Sequence, residues 1–433
     1  MLSSRLPKDL SPSPFFAELE RAKADVLAEC AEANSLPFID MTVSSPVKAG
    51  LPVDLDDAVD EGRKAFGNWS PDAAGWKSAR EAVVDYYRQR GGNFTAGQII
   101  LTASTSEAYS VLFKTFCDPG DVILTPMPGY PLLDTLAQLE HLECAPYFLK
   151  IRRENARRRA TDERRESAKF RFVLDSDSLL AAPERAKILL LVSPHNPTGH
   201  CVSREEWNEA VRFCEENNMI LVVDEVFGDY AFTDKVSRTW QYVFAPCHPE
   251  RNEVESKDLW DAGGGDFINL PEDGPKCPIF WLNGLSKAVG SPQLKLGWMA
   301  FYAPRENFEE IRAALEFVED AYLSVSAPAQ TLGASLLKHS EAYESKVLDR
   351  LQQNWQTLRE AFPSKYCPEV LGGWYAVVRL GEDDEELTLR LLREKHVLVQ
   401  PGFFFDFDED GWVVMSLLQD PAIFKEAIER IIK

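Results

Sequence analysis

The sequence predicts an α/β fold: a large domain on a mostly parallel sheet between helices, followed by a smaller α+β domain. Three observations point to it. From Gln98 to Phe301, apolar strand-like runs alternate with amphipathic helical stretches, the order that builds a parallel sheet. Several runs, AKILLLV (186–192) above all, are continuously apolar and suit strands buried on both faces. The residues that interrupt the pattern (Ser104, Pro128 to Tyr130, Asn196, Asp224 and Lys287) all follow such runs, where parallel sheets bind their ligands.

The elements follow in order. Residues 1 to about 14, rich in Ser and Pro, read as an arm that orders only against something else. Phe15 to Ala33 has helical spacing, with Phe16, Leu19, Ala22, Val26, Leu27 and Cys30 as the apolar positions. FIDMTVSSPVKAGLP then reads as a short strand entering a Ser-Ser-Pro turn. Asp72 to Gln89 reads as a helix with Ala79, Val83 and Tyr86 on one face, stopped by Gly91-Gly92. QIILTAS, DVILTPMPGY, AKILLLVSPHNP, MILVVDEVF and PIFWLNG are the strands that follow. Between them, SEAYSVLFKTFC, LLDTLAQLEHL and 204–217 are helices, the last opened by a Ser203/Glu206 capping box.

Two insertions interrupt this alternation. The basic run 151–172 reads as a solvated hairpin or helix edge, and 248–275 as a surface loop. Beyond about Pro304 long helices precede the strands GGWYAVVRL, HVLVQPGFFFDF and WVVMSLL and a terminal helix. The expected division is 1–50 as arm and part of the small domain, 51–304 as the large domain, and 305–433 as the small one.

The chain has 433 residues, 45% of them apolar, enough for two cores, and a formal charge of −22, which argues against nucleic-acid or anionic-membrane surfaces. Its eight cysteines stand singly, without CxxC pairs or histidines at metal spacing, and read as reduced thiols with no metal site. The N-terminus lacks an apolar segment of signal-peptide length, and no window approaches membrane-spanning length. The expectation is a cytoplasmic protein.

The chemistry centres on CPIFWLNGLSKAVGSPQLKLGWMAF (277–301). A lysine at the mouth of a buried strand, among small residues, is placed to react, since burial lowers its pKa and frees the lone pair that carbonyl chemistry needs. The plain alternative is a solvated loop lysine.

Its companions decide between these. SPHNPTG (193–199), VVDEVF (222–227) and GLSKAVGSPQLKLGW (284–298), in that order and spacing, resemble the class I/II, fold-type I aminotransferases that use pyridoxal phosphate, over nearly the whole chain. The resemblance implies a mostly parallel seven-stranded sheet and a homodimer with shared active sites. It implies that Lys287 forms the aldimine with pyridoxal 5′-phosphate and moves the substrate proton, and that Asp224 holds the ring nitrogen protonated. Asn196 corresponds to the asparagine at the phenolic oxygen and Tyr130 to the stacking aromatic. Ser104, Thr105, Ser106, Ser286 and Lys295 fall at the phosphate, Lys295 in place of an arginine.

There are departures. Phe227 replaces a tyrosine that also touches the phenolic oxygen, with Tyr230 as a candidate substitute. Trp69 stands where a neighbouring subunit's tyrosine reaches the phosphate, and Tyr322 also falls near the neighbour's cofactor. Val414 replaces the arginine that clamps the substrate carboxylate, leaving Arg379 and Ser44 as candidate substrate contacts. Trp374, Tyr375, Phe403, Phe404 and Phe405 would suit an apolar substrate group, or an ordinary core. The implied activity is transfer of an amino group from an amino acid to a 2-oxo acid by a ping-pong route. A lyase (carbon–sulfur β-elimination) or decarboxylase on the same fold is the alternative. A non-catalytic regulator is a third reading, disfavoured because no basic helix-turn-helix module precedes Phe15.

Overall fold

The computed structural model describes residues 3–7, 9–32, 36–54, 56–67, 70–154, 169–233, 236–244, 274–323, 325–381 and 383–433. The expected surface loop 248–275, all but its last two residues, and the centre of the basic run lie outside these residues, as do Trp69 and Cys247.

The strands in chain order are β1 (Ile39–Asp40), β2 (Ile99–Thr102), β3 (Val122–Met127), β4 (Glu143–Glu154), β5 (Lys169–Leu174), β6 (Ala186–Val192) and β7 (Ile220–Asp224). They continue with β8 (Ile279–Gly284), β9 (Gly297–Tyr302), β10 (Tyr375–Arg379), β11 (Val397–Leu398), β12 (Gln400–Pro401) and β13 (Trp412–Ser416). Among the described residues the central sheet runs β2-β9-β8-β7-β6-β3-β4-β5. Strands β8, β7, β6, β3 and β4 pair in parallel, whereas β2, β9 and β5 run antiparallel to their neighbours. The seven expected strands are present. The eighth, β5, comes from the basic insertion, whose flanks form a hairpin with Ile151 opposite Phe172.

Period-two alternation explains why the central strands have no polar face. Leu189, Leu191, Leu221, Val223 and Trp281 pack into one cluster and Ile188, Leu190, Val222, Phe280 and Leu282 into another. Helices Thr105–Phe116, Leu132–Leu139 and Phe308–Asp320 cover the second face, and Lys77–Gln89, Arg204–Glu216 and Ala327–Leu337 the first. Each fully buried Leu, Phe or Trp contributes about 1.5–3 kcal/mol, so both helix layers are held by the same strands.

Local chemistry sets several boundaries. Ser203 and Glu206 form the expected reciprocal capping box at Arg204–Glu216. The expected Asp72 helix begins instead at Lys77, because Gly75 at φ +84° closes a turn onto Asp72. The N-terminal helix Pro14–Glu29 buries Phe15, Leu19, Ala22 and Val26, while Phe16 and Leu27 stay largely exposed. Ser13 capping Phe16 fixes that rotation.

This helix packs on Asp384–Lys395 through Leu392 and on β11 through Leu398. β1 pairs in parallel with β11, and Ser416 N–H donates to the Met41 carbonyl at 2.7 Å. Residues 41–44 are thereby laid along β13 and beside the carboxyl ends of the central sheet. β10, β13 and β12 form an antiparallel sheet in which Tyr375 faces Ser416 and Val377 faces Val414.

Candidate active site

A cavity of about 310 Å³ opens at the carboxyl ends of β3, β6, β7 and β8. The switch point of the sheet lies there: β3 and β6 are neighbours, yet the chain leaves them in opposite directions across the sheet. Ser44, Ser104, Thr105, Ser106, Tyr130, Asn196, Asp224, Ser286, Lys287 and Lys295 all line it.

Lys287 follows β8 on a short helical turn, Leu285–Ala288. Its amine lies 4.7 Å from the Trp374 ring centre and 5.5 Å from that of Phe227. Burial among these rings lowers its pKa to about 8, against the opposing pull of Asp224. Asp224 ends β7. Its Oδ2 accepts from the Tyr109 hydroxyl at 2.7 Å and its Oδ1 from the Val226 N–H at 3.0 Å. Burial raises the carboxyl's pKa, while these two bonds and Lys287 pull it down.

Asn196 stands in the turn after β6. The turn needs Gly199, whose φ of +68° disfavours other residues and whose Cβ would meet Val370 at 2.5 Å. The Asn196 Oδ1 is buried and has no protein partner. At the opposite end, Ser104 caps helix Thr105–Phe116 by accepting from Glu107 N–H, which starts the helix one residue before the expected Ser106. The amides of its first turn then point into the cavity mouth, with hydroxyls from Thr105, Ser106 and Ser286 around them. Lys295 adopts left-handed φ of +51°, a conformation that costs a non-glycine residue about 1–2 kcal/mol, at this same end.

Three sequence expectations need correction. Arg379 does not line the cavity: it ends β10 on the far side and pairs with Glu409, over the Trp412 ring. Tyr230 does not replace the missing tyrosine. It is fully buried beneath the lysine, donating to the Lys287 carbonyl at 2.6 Å. Phe403, Phe404 and Phe405 are not around the cavity either; Phe403 and Phe404 pack edge-on against Phe15 of the N-terminal helix. Of that aromatic group, Tyr375 lines the cavity and Trp374 lies under Lys287. Tyr322 is 54% exposed, beside Lys114.

Tyr109 is a lining residue that sequence reasoning missed. Tyr109 falls one helical turn after Thr105, on the same helix face, so the spacing could have flagged it. The Tyr375 and Ser44 hydroxyls are hydrogen-bonded to each other. Val414, on the same sheet face as Tyr375, is fully buried and outside the lining.

These features fit pyridoxal phosphate. The Asn196 side-chain amide lines the cavity with its oxygen unpartnered among the described residues, which leaves the amide open to a ligand, and the lysine amine has a depressed pKa. A carboxylate stands beside it, and a capped helix start with a cation suits a phosphate.

Two results are expected from this geometry. A lysine whose pKa is lowered is cationic below it and nucleophilic above it. The rate at which cofactor-free protein captures pyridoxal phosphate should therefore rise about tenfold per pH unit towards about 8, then level off. Stopped-flow absorbance checks this. Gly297 abuts the helix start: a Cβ there would meet the Ser104 carbonyl carbon at 3.1 Å and Thr102 Oγ1 at 3.2 Å. Gly297→Ala should displace that loop and weaken pyridoxal phosphate binding about tenfold, measured by titration of the cofactor-free protein.

The seven described cysteines are unpaired, and no His, Cys, Asp or Glu cluster among the described residues could hold a metal. No described helix is long and apolar enough to cross a membrane.

Comparison with known proteins identifies the family and the fold. The family model for aminotransferase class I and II matches residues 53–431. Tyrosine aminotransferase of Caenorhabditis elegans is 22% identical over 78% of this chain, and the match spans 65% of that relative's own length. Alanine aminotransferase of Mycobacterium tuberculosis is 25% identical over 83% of this chain and 76% of its own. Aspartate aminotransferase of Thermotoga maritima superposes with a TM-score of 0.73 at 19% identity, over 100% of this chain and 99% of that one, and so shares its fold. With the family model matching over most of its length, the chain belongs to the class I and II aminotransferases.

Proposed function

We propose that this cavity binds pyridoxal phosphate and, through Lys287, exchanges an amino group between an amino acid and a 2-oxo acid in two half-reactions. The carrying observation is the half-buried Lys287 amine, its pKa lowered to about 8, sharing one cavity with Asp224 and Asn196. When bound, the cofactor supplies the carbonyl that takes up the amino group and the electron sink that acidifies the substrate α-carbon.

The chain's residues do the rest. Asp224 holds a proton at the ring nitrogen, since an adjacent carboxylate favours the cation. Asn196 donates to the phenolic oxygen, and Tyr130 covers the ring. The first-turn amides at Ser104, Thr105 and Ser106, with Ser286 and Lys295, take the phosphate. Lys287, whose lowered pKa of about 8 makes the neutral amine accessible near neutral pH, removes and returns the α-proton. Ser44 and Tyr375 offer the substrate neutral donors where no charged clamp from Val414 or Arg379 is available.

The same reading takes the protein as a cytoplasmic homodimer with shared sites. Phe317, 80% exposed, with the exposed Tyr322 and Leu323, supplies apolar surface for the second copy. It takes 51–304 as the cofactor-binding domain and 305–433 with part of 1–50 as the smaller one, a division the pairing of β1 with β11 supports. The relatives named above are aminotransferases and favour transamination over elimination or decarboxylation.

The test is the visible spectrum of the protein with pyridoxal phosphate and a panel of amino acids. A band that bleaches with certain donors and returns with a 2-oxo acid is expected. Release of ammonia without that return would replace the reading with a lyase.

A further inference from the structure

Asp224 is gripped from both sides. Its Oδ1 takes the Val226 N–H at 3.0 Å and its Oδ2 the Tyr109 hydroxyl at 2.7 Å, so neither oxygen rotates freely. Tyr109 is only 4% exposed and stacks at a tilt on Phe113, with ring centres 6.0 Å apart. It belongs to the helix whose first turn carries Ser104, Thr105 and Ser106. One rigid helix therefore sets the anion-binding end of the cavity and, one turn later, the plane of the carboxylate.

We propose that Tyr109 is the positioning residue of this site: its phenol holds the Asp224 carboxylate ionised and turned so that its remaining lone pairs face a cationic nitrogen in the cavity. The proposal rests on the reading that Asp224 serves the cofactor's ring nitrogen. A phenol suits the task because burial and the neighbouring carboxylate push its pKa far above the ordinary value, so it stays a donor at every working pH. The charged group bearing on Asp224 from the neighbouring β8 segment is Lys287. The Tyr147 hydroxyl on β4, near Tyr109, donates elsewhere, to the Leu190 carbonyl at 2.8 Å.

Tyr109→Phe removes the donor and keeps the ring packing. Losing a hydrogen bond to the charged form raises the carboxyl's pKa, by about one pH unit for a charge-assisted bond. The first readout needs no cofactor. The infrared carbonyl stretch of protonated Asp224, identified by its loss in Asp224→Asn, should appear at higher pH in Tyr109→Phe than in the parent protein. In the loaded enzyme the acid limb of kcat/KM should move up with it, KM for the amino donor changing less than twofold. Identical infrared midpoints in the two proteins would overturn the proposal. An inactive parent enzyme with a shifted infrared midpoint would instead overturn the proposed function and leave the Tyr109–Asp224 clamp standing. Should Tyr109→Phe fail to fold, fluorotyrosine at position 109, a stronger donor, should move the midpoint down, and an unmoved midpoint would overturn the proposal equally.

Discussion

Lys287→Ala is expected to lower turnover by about 10⁴-fold or more while the protein still folds and retains pyridoxal phosphate. The two halves of this expectation rest on different parts of the structure. Turnover falls because Lys287 is the amine that lies over the Phe227 and Trp374 rings on the side of the cavity facing Asp224. Lys295, the other lysine of the cavity, stands with the serines of the helix start and cannot replace it. The cofactor stays because its contacts come from elsewhere: the Ser104 helix start, Asn196, Tyr130 and Asp224 belong to other strand ends. Folding survives because the side chain ends at a cavity and forms no ion pair among the described residues, whereas the backbone carbonyl that receives Tyr230 is unchanged. A small primary amine added to Lys287→Ala should restore part of the activity by entering the space left behind. Single-turnover absorbance with the best donor measures both effects. Unchanged turnover would remove Lys287 from the mechanism altogether.

How far the sequence could be read depends on whether a residue's role is set locally or by distant packing. Lys287, Asp224 and Asn196 each end a continuously apolar strand, and strand ends in a parallel sheet converge on one edge, so their meeting followed from the pattern of strands. The eighth strand followed only as one of two readings of the basic run, a hairpin or a helix edge. Its basic composition masked the Phe170–Phe172–Leu174 alternation that pairs with β4. Arg379 also ends a strand, but of the antiparallel sheet, whose ends do not converge on that edge, and Glu409, just before β13, takes its charge. Tyr230 follows Asp224 by six residues, near enough to suggest the cavity. The intervening turn and 3₁₀ segment Gly228–Tyr230 carry it underneath, and the neighbouring Asp229 is fixed there by Arg90, Arg238 and Tyr86. Buried ionic networks of this kind join residues 90, 229, 238 and 344, a pairing no local spacing announces.

Asp224→Asn should reduce turnover by about 10²–10³-fold, the cost of removing one preorganised charge partner, with cofactor binding weakened much less. An amide is close in size, and Val226 N–H can still donate to its oxygen, so the turn after β7 should keep its shape. What is lost is the negative charge, and with it the preference for a protonated ring nitrogen. The lesion therefore belongs in kcat, not in KM. Tyr109 makes the experiment sharper. In the parent protein its hydroxyl donates to a carboxylate; in Asp224→Asn it meets a neutral amide, and the special value of that bond disappears. Combining the two changes should then cost little more than Asp224→Asn alone, so the double-mutant cycle should show a coupling of at least about 1 kcal/mol. Strict additivity would mean that Tyr109 serves the helix and not the carboxylate. An Asp224→Asn enzyme with full kcat would mean that the proton on the ring is held by something other than Asp224.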